Sequence, residues 1–340
     1  MKTISVYDSI GTLLSHDLTQ IVPGGFKGSR FKKGYLVKAE DIPVLLSMGK
    51  EHLFVMELGE EDVHEDDAAW RIALAVAGKN IESTKKGEGK VELTAACDGL
   101  LKINSNKLTD LIDYDEIMFA SIHQNQLVRK GQAVAGTRVI PLYVKRNLVE
   151  RAERIQDIIT VVPLKSAEVG LVITGSEVYH GRIKDAFGDV LRKKFDALGS
   201  RVIQQVFADD DEKMIAACIQ NLISEGVDLI AVTGGMSVDP DDRTPAGIKR
   251  AGAEIITYGA PVLPGAMFLL GYIGEIPVVG LPGCVMYHKI SIFDLILPRI
   301  LAGEKITRAD IKALAQGGMC QGCQICTYPN CGFGKNYSTS

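Results

Sequence analysis

The chain has 340 residues, more than one ordinary domain and enough for two or three. Its composition, 46% hydrophobic and 24% charged, is that of a soluble globular protein, and a net charge of −4 lacks the basic footprint of a nucleic-acid-binding body. No apolar run reaches the roughly 18 residues that cross a bilayer, and the N-terminus MKTISVYDSIG has no hydrophobic signal core; the expectation is a cytoplasmic protein with neither nucleic-acid nor membrane partners.

Residues 1–60 read as mixed β structure with turns, and PGGFKGSRFKKG (23–34) reads as a surface loop or hairpin. Residues 39–47 predict a short helix, with Pro43 near its first turn, and 50–58 alternate as a strand. Residues 62–77 predict a helix, acidic at its start, where early carboxylates complement the helix dipole, and closed by Gly78. Segment 80–110 reads as an inserted β-rich stretch, 121–134 and 136–144 add strands, and 148–158 is helical, with a boundary near Pro163. This divides the chain into a β-rich α+β region (1–160), an α/β domain (165–303) and a cysteine-rich tail (304–340).

From Ala167 the pattern alternates strand and helix. Strands are predicted at 169–174, 201–207, 227–233, 254–258 and 276–281, and helices at 183–198, 211–224, 244–251 and 287–301. Asp209, Asp210 and Asp211 read as caps of the second of those helices.

Two strands end in similar loops. The apolar run 227–232 (VDLIAV) enters TGGMSVDPDD (233–242), and 169–173 (VGLVI) enters TGSEV (174–178). In an open α/β sheet the carboxyl ends of the strands are where ligands bind. Gly234 and Gly235 permit close approach to the main chain, while Asp239, Asp241 and Asp242 concentrate negative charge. Carboxylates alone repel phosphate, so this composition suits a phosphorylated ligand bridged by a hard cation such as Mg²⁺. Two further glycine loops, GAPVLPG (259–265) and GLPG (280–283), offer main-chain N–H groups of the kind that bind anions.

The order TGSE…GRIKD, TGGMSVDPDDRTP, LPG, GLPG resembles the molybdopterin-binding domain shared by the molybdopterin molybdenumtransferases, gephyrin and the molybdopterin adenylyltransferases. The resemblance covers about 165–303. The segments HDLTQIVPGGFKG (16–28), HEDDAA (64–69) and VAGTRVIPL (134–142) look more like the front domains of the transferase branch. It implies a three-layer α/β fold around a mainly parallel sheet. It also implies binding of adenylylated molybdopterin, whose hydrolysis with Mg²⁺ accompanies molybdate insertion and AMP release.

Carried over by motif, Thr174, Gly175, Ser176 and Glu177 match the first ligand loop, and Asp185 matches the acid opening the next helix. Gly234, Gly235 and Ser237 match the phosphate and pterin cradle; Asp242 matches the essential carboxylate. Pro264, Gly265, Leu281, Pro282 and Gly283 match the remaining walls. Asp242, with Asp185 or Glu177, is the implied Mg²⁺ set. The chain departs from the transferases at Asp239, at Ala186–Phe187 and at Cys284–Val285. The resemblance further implies a homodimer and a recipient molybdoenzyme. A non-catalytic carrier or sensor of the cofactor, and a related nucleotidyltransferase or pyrophosphatase, are the other readings.

Of seven cysteines, four crowd into CQGCQICTYPNC: Cys320, Cys323, Cys326 and Cys331. In a cytosolic chain this reads as metal-binding or redox-active, not as a disulfide framework. Zinc, an iron–sulfur centre, a structural knot and a thiolate site serving the pterin's sulfur all fit the spacing C-x2-C-x2-C-x4-C. The six histidines show no ligand spacing, and His180 lies near the first ligand loop.

Overall fold

The computed structural model describes residues 2–22, 25–55 and 61–335. The chain divides into two compact units: Met1–Ala96, Ile103–Ile122 and Lys130–Thr160 form one, and Cys97–Lys102, His123–Arg129 and Val161–Ser340 form the other. Parts of the expected loop at 23–34 and strand at 50–58 lie outside the described residues.

The first unit is a set of small antiparallel sheets. Strands Leu18–Ile21 and Lys27–Phe31 pair as a hairpin, and Lys2–Ser5 pairs with His52–Val55. A four-stranded sheet runs in the order Ile81–Gly87, Lys90–Ala95, Ala133–Val139, Ile117–Ser121. The helix expected from residue 62 begins at Glu65. His64 Nδ1 accepts the Asp66 N–H at 3.1 Å and caps it, which leaves Asp62–His64 free to pair with Tyr143–Lys145. Residues 105–112, expected within a β-rich stretch, are a helix capped by Asn104, whose side chain accepts the Lys107 N–H.

The second unit carries the α/β domain. Its elements, in chain order, are β1 (Glu168–Thr174), α1 (Ser176–Tyr179), α2 (Phe187–Asp196), β2 (Arg201–Ala208), α3 (Glu212–Ser224) and β3 (Leu229–Thr233). There follow α4 (Thr244–Arg250), β4 (Glu254–Tyr258), β5 (Leu269–Ile273), β6 (Ile276–Leu281), α5 (Cys284–Tyr287), α6 (Ile292–Leu301) and α7 (Arg308–Ala313). Among the described residues the sheet order is β2-β1-β3-β6-β5-β4. The first four strands are parallel, and β5 and β4 continue as antiparallel partners.

Side-chain alternation explains the three layers. Val169, Leu171 and Ile173 of β1, Leu229 and Ala231 of β3, and Val279 and Leu281 of β6 face one core with Leu191 and Phe195 of α2 and Phe293 and Ile296 of α6. Val172, Ile230, Val232 and Val278 face the other, with Ile215 and Ile219 of α3 and Ile248 of α4. Strands buried on both faces read as continuous apolar runs, which is how β1, β3 and β6 appear in the sequence.

β5 is absent from the sequence-based expectations. Its residues LLGYI join β6 through a tight turn at Gly274, so the whole run 268–281 looks like one strand with an interruption. Two expected helices start later than periodicity suggests because caps intervene. Asp185 Oδ1 accepts the Phe187 N–H at 2.8 Å, and Ser291 with Asp294 forms a capping box that opens α6.

Leu171→Ala, at a fully buried position between β2 and β3, is expected to cost about 2–5 kcal/mol. The urea unfolding midpoint of the intact chain measures it. A loss under about 1 kcal/mol would show that this layer is not close-packed.

Candidate functional site

Register brings the loops to one edge of the sheet. Thr174 of β1 lies opposite Ala208 of β2, Ile173 opposite Thr233 of β3, and Thr233 opposite Leu281 of β6. The loops starting at Gly175, Asp209, Gly234 and Pro282 therefore leave the carboxyl ends of four adjacent parallel strands at one level.

Thr174 is the centre of the packing there. Its hydroxyl lies 2.8 Å from the Thr244 hydroxyl and 3.2 Å from the Thr233 carbonyl, all three residues being buried. Gly234 has φ +98°, and a Cβ there would run into the Thr174 carbonyl. The loop can pass this close to β1 only with glycine at that position. Tyr258 holds the far side: its hydroxyl is 3.1 Å from both the Met236 and the Ser237 carbonyls. Met236, buried, packs on Gly280, so the TGG loop and the GLPG turn are neighbours.

The acids gather around this cradle. Asp210 Oδ2 accepts the Ser176 N–H at 2.9 Å, and a Cβ on Gly235 would stand 3.4 Å from Asp210 Oδ1. Burial, against the pull of the Ser176 N–H and reinforced by the carboxylates of Glu177, Asp209 and Asp242, raises the Asp210 carboxyl above its usual range. Asp209 is held below its usual range, first by the Asp210 N–H, with His180 among the further causes; His180 Nε2 lies 3.4 Å from Asp209 Oδ2. Asp242 Oδ2 accepts the Asp239 N–H at 3.2 Å.

The structure thus brings Thr174, Gly175, Ser176, Glu177, Gly234, Gly235 and Asp242 to one place and adds Asp210 and Thr244, which sequence reasoning did not select. Of the Asp209–Asp211 run, only Asp211 caps α3, accepting the Met214 N–H. Asp209 and Asp210 follow a parallel strand directly, and that position carried the missed signal. Ser237 is exposed.

Asp185 stands apart from the expected cation set. Its carboxylate is taken up by the Phe187 and Gly188 N–H groups and by the Gln205 amide at 2.9 Å, which makes it a helix cap. Pro264 and Gly265 lie against the start of α6: the Ile292 N–H donates to the Pro264 carbonyl at 3.2 Å, and a Cβ on Gly265 would meet the Ile292 side chain. Leu281 is core, and the Pro282 and Gly283 carbonyls accept N–H groups of α5. Among the described residues no three His, Cys, Asp or Glu side chains form a ready chelate for one ion.

Residues 170–302 match the family model described as "Probable molybdopterin binding domain", and residues 3–57 match one described as "Domain of unknown function (DUF8806)". Residues 170–302 are therefore similar to the molybdopterin-binding domain family. A CinA-like protein of Mycobacterium sp. (strain MCS) is 37% identical over 92 residues, covering 27% of this chain and 22% of that protein. A molybdopterin molybdenumtransferase of Synechococcus elongatus is 27% identical over 153 residues, covering 42% of this chain and 38% of that protein. The solved structure of the molybdopterin biosynthesis enzyme MoaB from Thermus thermophilus aligns with 19% identity and a TM-score of 0.33, covering 41% of this chain and 98% of that one. The chain spans well under half the length of the CinA-like and transferase relatives it matches. Among the described residues no helix is long and apolar enough to cross a membrane.

A raised folded-state carboxyl binds a proton that the unfolded chain has already lost. The free protein therefore loses stability as pH rises from the ordinary value of 3.8 through the raised value of Asp210. Asp210→Asn keeps an acceptor for the Ser176 N–H and removes the charge. It is expected to flatten that slope, read from urea midpoints between acidic and neutral pH without divalent cations. An unchanged slope would show that the charge penalty lies elsewhere.

Proposed function

We propose that the 170–302 domain binds adenylylated molybdopterin and supports Mg²⁺-dependent hydrolysis to AMP with molybdate insertion. The observation that carries this reading is the glycine-paired cradle at one level of strand ends, with Asp209 and Asp210 directly after one strand and Glu177 and Asp242 on the adjoining loops. The family match and the transferase relative support it.

The donor set fits Mg²⁺. That ion is ordinarily held by one or two carboxylates together with substrate phosphates and water, not by an all-protein cage, so a set of three ligating side chains, which the described residues do not provide, is not required. Asp242 and Asp210 would hold it, with Glu177 beside them; Asp185 is committed to its cap. When bound, the ion would neutralise the pyrophosphate oxygens.

The protein's own groups do the rest. The main-chain N–H groups at Gly234 and Gly235 and the Ser237 hydroxyl are the donors for phosphate oxygens. Tyr258 fixes the loop that presents them, and the Thr174–Thr244 contact sets its base. Water adds to phosphorus, the anhydride P–O bond breaks, and AMP leaves while the pterin keeps its own phosphate. Molybdate is cargo, taken by the pterin's dithiolene, so no cysteine nucleophile is required.

The test is AMP release from adenylylated molybdopterin with Mg²⁺, with and without molybdate. Molybdate-stimulated release is expected, and Asp242→Ala is expected to lower the rate at least about a hundredfold, a loss of roughly 2.7 kcal/mol. Tight binding without AMP release would make the protein a carrier. Release indifferent to molybdate would make it a pyrophosphatase.

A further inference from the structure

The segment from Gly317 to Gly334 plays no part in the pterin-site reading, and its anchors are specific. The Gly334 N–H donates to the Gly317 carbonyl at 2.9 Å, tying the ends together. Gly317 has φ +82°, and a Cβ there would run into the Lys335 carbonyl. The start of the loop adds to the Leu263 backbone: the Leu263 N–H donates to Gly318, and the Cys320 N–H donates to Leu263, each at 2.8 Å. Further on, the Tyr328 hydroxyl donates to the Asp294 carbonyl at 3.2 Å, the Gln126 amide reaches Asn330 at 3.0 Å, and Phe333 is buried.

Between these anchors residues 321–327 are exposed and carry neither helix nor strand. Ordering such a stretch costs about 1–2 kcal/mol of backbone entropy per residue, with little apolar burial to offset it. A metal cross-link supplies what the missing core does not, because binding free energy then becomes folding free energy.

All four tail cysteines line one cavity of about 540 Å³, together with Tyr287, Lys289 and Phe333. Cys97, Cys218 and Cys284 are not part of that lining. The sulfurs share a chamber without converging: among the described residues no three ligating side chains are placed for a single ion. A structural zinc needs four ligands about 2.3 Å from one centre. A polynuclear cluster is a larger body whose cysteines stand further apart around it, and a cavity of about 540 Å³ has room for one. The x2, x2 spacing of the first three cysteines matches a cluster-binding run. Lys289 lines the chamber, which suits a group whose thiolates and sulfides carry net negative charge.

We propose that Cys320, Cys323, Cys326 and Cys331 hold a polynuclear iron–sulfur cluster in this chamber. The site is built against the segment following α5, the helix that starts from the GLPG turn. It stands independently of what the pterin loops bind.

The experiment is metal and sulfide analysis, with visible absorption and electron paramagnetic resonance after reduction, on the full chain. The protein is purified without oxygen and then reconstituted with ferric iron, sulfide and dithiothreitol. About four iron and four sulfide per chain are expected, with sulfide-to-iron charge-transfer absorption. Cys323 and Cys326 are exposed, so the double substitution Cys323→Ser/Cys326→Ser leaves the packed anchors in place. It is expected to lose at least nine-tenths of the iron and sulfide, while Cys97→Ser and Cys218→Ser retain both. One zinc per chain without sulfide, no bound iron after reconstitution, or full iron in the double variant would each overturn the proposal.

Discussion

The Thr174 carbonyl lies where a side chain at Gly234 would have to be, and the Thr174 and Thr244 hydroxyls meet underneath. This close approach lets the loop after β3 fold back over the end of β1, which sets the Gly234–Gly235 main chain beside Asp210 and the TGSE turn. The parallel register of β2, β1, β3 and β6 makes it possible, since it brings four strand ends to one level. The two apolar layers fix that register, because a slip of one residue would turn every inward side chain of a strand to the opposite face.

The electrostatics follow from the same geometry. Loops that leave adjacent strand ends cannot spread their charges, so carboxylates from three loops crowd together. Burial first, and the neighbouring carboxylates after it, raise the Asp210 carboxyl in the free protein. Such an arrangement suits the metal-bridged phosphate we propose for it. Asp185, matched to the same chemistry by motif, instead has both carboxylate oxygens hydrogen-bonded by N–H donors at the start of α2.

Much of the α/β domain was legible because β1, β3 and β6 are buried on both faces and read as apolar runs, with capped helices between them. The fold class follows from that alternation. The hairpin strand β5 was hidden by its continuity with β6, and helix starts shifted wherever a cap such as His64, Asp185 or Ser291 took precedence over periodicity. In the site, the glycine loops announce themselves locally. Asp210 and Thr244 do not, because their roles depend on which strand lies next to which, and local pattern says nothing about strand order. The tail's anchorage is illegible for the same reason: Leu263, Asp294 and Gln126 are far from it in sequence.

We propose that the carboxylate cradle engages a phosphorylated pterin through a divalent cation. Calorimetric titration of the intact chain with adenylylated molybdopterin, in Mg²⁺ and again in excess chelator, tests it most directly. Binding in Mg²⁺ is expected, and it should weaken at least tenfold, about 1.4 kcal/mol, when the cation is removed. Equal affinity in both conditions, or no binding in Mg²⁺, would contradict it.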